Sequence, residues 1–297
     1  MRVTSAADIV VFNALSQALL PPKAEGPSRR STPDGQTRLL ADWIRSGVML
    51  ERKSVYRLLD FGAGIGRLAT ELAKESPWRL GANLDVHCWE PDPTRRGEMS
   101  RVLIDLGVKV TVIEDLSQVE AQSFDFSVLA NVLHELPVPI AAEAISQAAS
   151  LTRPTGEVAI VELCPLLKAE KFAVPYPEAI MKELLSSCNF AARSHSFSIL
   201  GASAYAVLAR RLHPDAGLSA EYVAERIQKT WARLLDDALS SYTSFQSLSG
   251  YHDFSVCLQD LTTIASITAH LLGRWPMPSD TAKDSKATPI DLKPPGC

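Results

Sequence analysis

One short segment constrains the fold of this chain more than any other. The apolar residues Leu58 and Leu59 lead through Asp60 into three alternating glycines, Gly62, Gly64 and Gly66. Glycines permit a tight turn with positive φ and let a ligand approach the backbone closely. The helical pattern that follows would present free N–H groups and a partial positive charge to such a ligand. The segment therefore predicts a ligand site at the carboxyl edge of a parallel sheet.

The pattern around this segment alternates between short apolar runs and helical segments. Runs such as Val158–Val161 lack polar alternation, which is typical of strands covered by helices on both faces. We therefore expect a doubly wound, mostly parallel seven-stranded α/β sheet. The last two strands are separated by a short link, which permits only an antiparallel pair. Strands are predicted at 56–60, 84–90, 109–113, 125–130, 156–163, 193–198 and 204–210, and helices at 66–76, 93–107, 138–152 and 177–188.

Helical segments flank this pattern on both sides. The spacing predicts N-terminal helices at 6–20 and from Thr32–Pro33 to Val48, and a C-terminal extension with helices at 219–240 and 253–273. Residues 276–297 are rich in Pro, Lys, Asp and Ser, which favours disorder. The expected division is a lid or substrate region at 1–55, a ligand-binding domain at 56–212, a helical extension at 213–275 and a tail at 276–297.

Composition argues against several classes of protein. The net charge of −4 argues against binding nucleic acid through a basic surface. The five cysteines are scattered without CxxC spacing and the six histidines show no paired ligand spacing, so we expect neither disulfides nor a metal site. No run of eighteen apolar residues occurs, so we expect no membrane span and a cytoplasmic location.

The glycine spacing narrows the choice of ligand. A dinucleotide-binding GxGxxG would need a glycine where Arg67 stands, and GxxxxGK[ST] is absent. The remaining pattern, Asp60-x-Gly62-x-Gly64-x-Gly66, resembles the first motif of class I methyltransferases that depend on S-adenosylmethionine (SAM). The resemblance implies SAM as the cofactor and a loop that contacts it through residues 60–66, Ala63 included.

Further motifs extend the resemblance over residues 57–212. Glu90 ends the second strand, where a carboxylate can accept hydrogen bonds from both ribose hydroxyls. The resemblance gives Glu90 this role in SAM enzymes and places Pro91 at the adenine edge, although NAD-binding folds place an acid similarly. It also implies that Asp115, beside Leu116, contacts the adenine amino group. Ala130 and Asn131, after the fourth strand, would face the methionine half of SAM.

The segment from Val132 to Pro137 bears on the chemistry. It is similar to the "LHDW" segment of small-molecule O-methyltransferases, in which the histidine acts as base. The resemblance makes His134 a candidate general base and gives Glu135 a supporting place. The alternative is that His134 caps a helix or lines the cofactor pocket. Two features differ from that group: Glu135–Leu136 replaces Asp-Trp, and 55 N-terminal residues are too few for its dimerisation domain.

The leading prediction is a SAM-dependent methyltransferase that acts on a small molecule, with oxygen as the favoured acceptor atom. No [DNS]PP[YFW] follows the fourth strand and no Pro-Cys nucleophile occurs, which argues against nucleic-acid acceptors. The alternatives are a non-catalytic SAM-fold binding or regulatory protein, a methyltransferase for protein or RNA, and a nucleotide-dependent oxidoreductase, which Arg67 disfavours. The C-terminal helices would cap the active site, bind a partner or form a homodimer.

Overall fold

The computed structural model describes residues 35–50, 55–74, 83–163, 173–199, 202–213, 217–244, 260 and 263–270. The predicted helix at 6–20, the Thr32–Pro33 helix start and the predicted disorder at 276–297 lie outside these residues. Of the helix predicted at 253–273, the described part at 263–270 is helical. Within the described residues, no helix is both long and apolar enough to cross a membrane.

In the described residues up to 244, seven strands and six α-helices follow the predicted order. The strands are β1 (Tyr56–Phe61), β2 (Leu84–Trp89), β3 (Thr111–Ile113), β4 (Phe124–Ala130), β5 (Thr152–Leu163), β6 (Phe190–Ile199) and β7 (Ala202–Arg211). The helices are α1 (Gly35–Leu50), α2 (Arg67–Lys74), α3 (Pro93–Asp105), α4 (Val138–Leu151), α5 (Glu178–Ser187) and α6 (Ala220–Ser244). Two short 3₁₀ helices, Leu116–Gln118 and Leu133–Glu135, follow β3 and β4.

The strands form one sheet in the order β3-β2-β1-β4-β5-β7-β6. Pairing is parallel from β3 through β5, while β7 runs antiparallel to both β5 and β6. The predicted fold class is confirmed, including the antiparallel last strand. Because the chain order reverses between β1 and β4, the carboxyl ends of these two strands border a crevice suited to a ligand.

The start of β5 differs from the prediction. The strand was predicted at 156–163, but β5 already begins at Thr152, directly after α4. Its register against β4 shifts after the pair Phe124 and Thr152, so residues 153–156 form an irregularity within the strand. A Cβ on Gly156 would lie 2.5 Å from the Asp125 carbonyl oxygen, which explains why a glycine is needed there.

The two faces of the sheet bury separate cores. Neighbouring residues such as Leu58 and Leu59 point to opposite faces, as strand geometry requires. Helices α1, α2 and α3 cover one face, and α4, α5 and α6 cover the other. One face of α6, which matches the helix predicted at 219–240, is buried in the core shared with α4 and α5, through Val223, Ile227, Trp231 and Leu234. The C-terminal extension thus packs directly on the predicted SAM-binding domain.

Candidate SAM-binding and methyl-transfer site

The glycine loop connects β1 to α2 and has left-handed backbone at all three glycines. Their φ angles are 79° at Gly62, 57° at Gly64 and 78° at Gly66. The backbone N–H groups of Gly62 and Ala63 donate to the Trp89 carbonyl at 2.8 and 2.9 Å. The loop is therefore held against the end of β2, where the next candidate residue follows.

The three glycines are required for different reasons. A Cβ on Gly62 would lie 3.0 Å from Cγ2 of Val132, and a Cβ on Gly66 would lie 3.0 Å from Cγ of Met99. Close packing therefore accounts for these two positions. At Gly64 a Cβ would meet no atom of the described residues within 4 Å. The backbone at Gly64 thus leaves space for a ligand.

Glu90 lies beside this open position. It is 5% exposed, and its two carboxylate oxygens accept from the backbone N–H groups of Gly64 at 2.8 Å and Asp92 at 3.1 Å. Burial raises the pKa of Glu90, and these two hydrogen bonds act in the opposite direction. Each carboxylate oxygen can accept further hydrogen bonds. The geometry suits an acceptor of ribose hydroxyls.

Asp60 is a buried carboxylate at the end of β1. It is 3% exposed, and within the described structure its Oδ2 has no hydrogen-bond partner. Burial raises the pKa of Asp60 to about 7, with a further contribution from the charge of Glu90. A buried acid without a partner is costly, and a cationic ligand group would offset that cost. The residues present therefore fit SAM, whose amino acid half carries an ammonium group.

The acids after β2 and β3 act as helix caps. Asp92, next to the exposed Pro91, accepts from the backbone of Thr94 at 2.7 Å and thereby caps α3. Asp115 accepts from the backbone and hydroxyl of Ser117 at 2.9 and 2.7 Å, which lowers its pKa. Asp115 is exposed at the carboxyl end of β3, beside the half-buried Leu116. The adenine roles of Pro91, Asp115 and Leu116 stay predictions.

The end of β4 is hydrogen-bonded to helix α1, through a residue that the sequence analysis did not single out. Asn131 follows Ala130 with φ of 55°, and its backbone N–H donates to the Val161 carbonyl at 2.8 Å. Its side-chain amide forms two hydrogen bonds with that of Gln36 on α1, both of 3.0 Å. Nothing in the local sequence distinguishes Gln36, because it stands 95 positions earlier. In the folded protein Gln36 is buried, with an exposed fraction of 4%.

His134 is held by a buried glutamate that sequence reasoning also missed. Nδ1 of His134 forms a short hydrogen bond with Oε2 of Glu162, at the end of β5. Oε1 of Glu162 accepts from the backbone N–H groups of Leu133 at 2.9 Å and His134 at 3.4 Å. His134 and Glu162 are 4% and 1% exposed. Glu162 therefore fixes both the backbone and the ring of His134.

Glu135 lies near the His134 ring, and its supporting role stays a prediction. It is an exposed side chain whose Oε1 lies 3.8 Å from Nε2 of His134. Within the described residues, no group of three or more His, Cys, Asp and Glu side chains is arranged to hold a metal ion.

A buried aromatic group lies next to the His134–Glu162 pair. The backbone N–H of Val174 donates to the His134 carbonyl at 2.8 Å, which ties the segment before α5 to the 3₁₀ helix. In that segment, the Tyr176 hydroxyl accepts from Nε1 of Trp231 on α6 at 2.5 Å. The Tyr176 carbonyl accepts from the hydroxyl of Tyr205 on β7 at 2.6 Å. The C-terminal extension therefore reaches the surroundings of His134.

The sheet order, the glycine loop and the acids ending β1 and β2 define a Rossmann-like SAM-binding domain. A family model described as a methyltransferase domain matches residues 34–212, which is more than half of the chain. The chain belongs to this methyltransferase family. It is a SAM-dependent methyltransferase of class I, and S-adenosylmethionine is its cofactor.

Comparison with solved structures gives distant similarities. Magnesium protoporphyrin IX methyltransferase from Synechocystis PCC 6803, solved with bound SAM, is 17% identical, with a TM-score of 0.45; the similarity covers 71% of this chain and 100% of that one. An O-methyltransferase family protein from Burkholderia thailandensis is 21% identical over 59% of this chain and 56% of that one, with a TM-score of 0.46. A SAM-dependent methyltransferase from Leishmania major is 16% identical over 68% and 83%, with a TM-score of 0.49. A search of curated protein sequences gave no significant match.

Proposed function

We propose that the protein transfers a methyl group to a hydroxyl oxygen of a small molecule, with His134 as the general base. The observation that carries this proposal is the buried pair of His134 and Glu162 at the carboxyl ends of β4 and β5. Asp60 and Glu90 end neighbouring strands of the same sheet edge. A positioned base beside the cofactor site is what a hydroxyl acceptor needs.

The chemistry explains why a base is useful. SAM, when bound, supplies an electrophilic methyl group on a sulfonium, so the leaving group is neutral. The protein must therefore mainly align the acceptor and exclude water. An acceptor hydroxyl must in addition lose its proton, and an imidazole is a common general base for such a proton.

Glu162 determines which nitrogen receives the proton. Its carboxylate accepts at Nδ1 of His134, so the hydrogen-bond pattern assigns the ring proton to Nδ1 and leaves Nε2 as the basic atom. The same carboxylate stabilises the imidazolium that forms when Nε2 takes up a proton. Glu162 is thus the positioning residue and His134 the proposed catalytic residue.

The cofactor contacts follow from the site geometry. We assign Asp60 to the ammonium group, Glu90 to the ribose hydroxyls and the open backbone at Gly64 to the close approach of the cofactor. The acceptor side would come from residues outside 56–212, namely the 1–55 region and the 213–275 extension. The net charge of −4 supports a small molecule over a nucleic acid as acceptor.

The test is a transfer assay with SAM labelled in its methyl group and a metabolite extract as acceptor. We expect label in the low-molecular-weight fraction, and the ¹³C chemical shift of the transferred methyl should identify an O–CH₃ group. His134→Ala should abolish most transfer while SAM binding remains. Label retained on macromolecules, or a methyl bound to nitrogen, sulfur or carbon, would contradict the proposal while leaving the cofactor assignment intact.

A further inference from the structure

Helix α1 is joined to the end of β4 by a reciprocal pair of amide side chains. Gln36 Nε2 donates to Asn131 Oδ1 and Asn131 Nδ2 donates to Gln36 Oε1, each at 3.0 Å. Gln36 is almost fully buried, so an amide left without its partner there would be costly. The pair therefore holds the Asn131 side chain in one position relative to α1.

Asn131 in turn supports the glycine loop. Its backbone adopts the left-handed region, which asparagine tolerates better than most residues. The next residue, Val132, presents the Cγ2 atom that lies 3.0 Å from the position of a Cβ on Gly62. Contacts therefore run without interruption from Gln36 through Asn131 and Val132 to Gly62.

We propose that Gln36 is a positioning residue for the cofactor site, which links the docking of α1 to the shape of the glycine loop. The apolar face of α1, with Leu40, Ala41 and Ile44, packs in the core on that side of the sheet and fixes where Gln36 lies. Docked α1 therefore favours SAM binding, and bound SAM favours docked α1, because such coupling is reciprocal. This inference concerns the cofactor alone and does not depend on the acceptor proposed above.

The first test is a double-mutant cycle on SAM affinity, measured by calorimetry. Gln36→Ala should weaken SAM binding roughly five- to twentyfold, since two sheltered hydrogen bonds are lost. Asn131→Gly removes the partner amide while glycine retains the backbone conformation. In the Asn131→Gly background, Gln36→Ala should have little further effect.

Two controls separate this role from a general loss of stability. Ser46→Ala changes an exposed residue of the same helix and should leave SAM affinity unchanged. Val223→Ala removes buried packing on α6, on the opposite face of the sheet, and should lower stability without a comparable loss of affinity. An unchanged affinity in Gln36→Ala, or equal losses of affinity in Gln36→Ala and Val223→Ala, would overturn the proposal.

The second test measures hydrogen exchange with and without SAM. In the unmodified protein, SAM should slow amide exchange in α1 as well as in the glycine loop. In Gln36→Ala, saturating SAM should still slow exchange in the loop, while the slowing in α1 is lost. Exchange in α1 that does not respond to SAM in the unmodified protein would contradict the coupling.

Discussion

The carboxylate of Asp60 is buried beside that of Glu90, and its pKa rises to about 7 because of burial and the nearby negative charge. Asp60 lies in β1, one residue before its end, and Glu90 directly follows β2, which pairs with β1 in parallel. Glu90 is compensated by two backbone N–H groups, whereas Oδ2 of Asp60 has no partner within the described structure. A cationic ligand would therefore lower the energetic cost of the buried Asp60 carboxylate more than that of Glu90.

This relationship predicts how SAM affinity depends on pH. Asp60 must be ionised to pair with an ammonium group, so affinity should fall as the pH drops below about 7. The slope should approach about tenfold per pH unit at low pH. Calorimetry between pH 5.5 and 8.5 measures it. Asp60→Asn should bind SAM weakly and with a much flatter pH profile; an equal slope in that variant would contradict the assignment.

The same shift predicts an effect on the stability of the ligand-free protein. Because the folded pKa of Asp60 is raised, its contribution to stability is full below pH 3.8 and is lost as the pH rises through about 7. Asp60→Asn should therefore raise the free energy of unfolding of the ligand-free protein. The gain should be larger at pH 8 than at pH 5, and the difference between the two pH values should be on the order of 3 kcal/mol at most. Denaturant unfolding at both pH values measures it.

The control for this measurement is Asp115→Asn. Asp115 is exposed and its pKa is lowered by hydrogen bonds to Ser117, so its substitution should not stabilise the protein at either pH. A gain of the same size in both variants would show that the effect of Asp60→Asn does not come from burial.

The glycine loop gives a prediction that separates folding from binding. Gly66→Ala should lower the free energy of unfolding by about 1–3 kcal/mol, because of its φ of 78° and the close approach of Met99. Gly64→Ala should lower the free energy of unfolding by about 1 kcal/mol because of its left-handed backbone. It should weaken SAM binding more than Gly66→Ala does, because the new methyl group would fill the open space beside Gly64. Gly97→Ala, within α3 at a site where a Cβ would meet no atom of the described residues within 4 Å, is the control, and its helix propensity should raise the free energy of unfolding by about 0.5–1 kcal/mol rather than lower it. Thermal unfolding of the three variants measures the change in stability, and SAM titration measures the change in affinity.

The base assignment predicts a loss of turnover without a loss of cofactor. His134→Ala should lower kcat by about 10²- to 10⁴-fold, the usual contribution of a general base. Glu162→Gln should also lower kcat and change its pH profile, because an amide cannot stabilise the imidazolium as a carboxylate does. SAM affinity should stay within a few fold in both. Glu135→Gln, at an exposed position, is the control, and a loss of turnover equal to that of Glu162→Gln would contradict the role of Glu162.

Local patterns carried most of what could be predicted from the sequence. The glycine loop and Glu90 lie at strand ends that short windows of sequence reveal, and the fold class follows from the alternation of strands and helices. Glu162 and Gln36 could not be found in this way. Their partners stand 28 and 95 positions away, so only the folded sheet brings them together.

The ends of strands were also difficult to predict from the sequence. The sequence predicts this strand only from residue 156, after Pro154, but β5 begins at Thr152 and continues through Pro154 and Gly156, because a shifted register against β4 accommodates the extra residues. Pairing in the sheet thus overrides the local preference of these residues. The division of the chain at residues 55 and 212 stays a prediction.

The last prediction concerns the C-terminal extension. Trp231→Phe keeps an aromatic ring in the core but removes the N–H that donates to the Tyr176 hydroxyl. Burial, opposed by this hydrogen bond, raises the pKa of Tyr176, and the charge of Glu162 adds to that rise, so the hydroxyl lies within electrostatic reach of the proposed positioning residue. The variant should therefore lower kcat severalfold and leave SAM affinity unchanged. Leu234→Ala removes packing on the same helix face without removing a hydrogen bond, so it should lower stability but not kcat at a temperature where both variants are folded. If the two variants lose kcat equally, α6 acts on the site through packing alone.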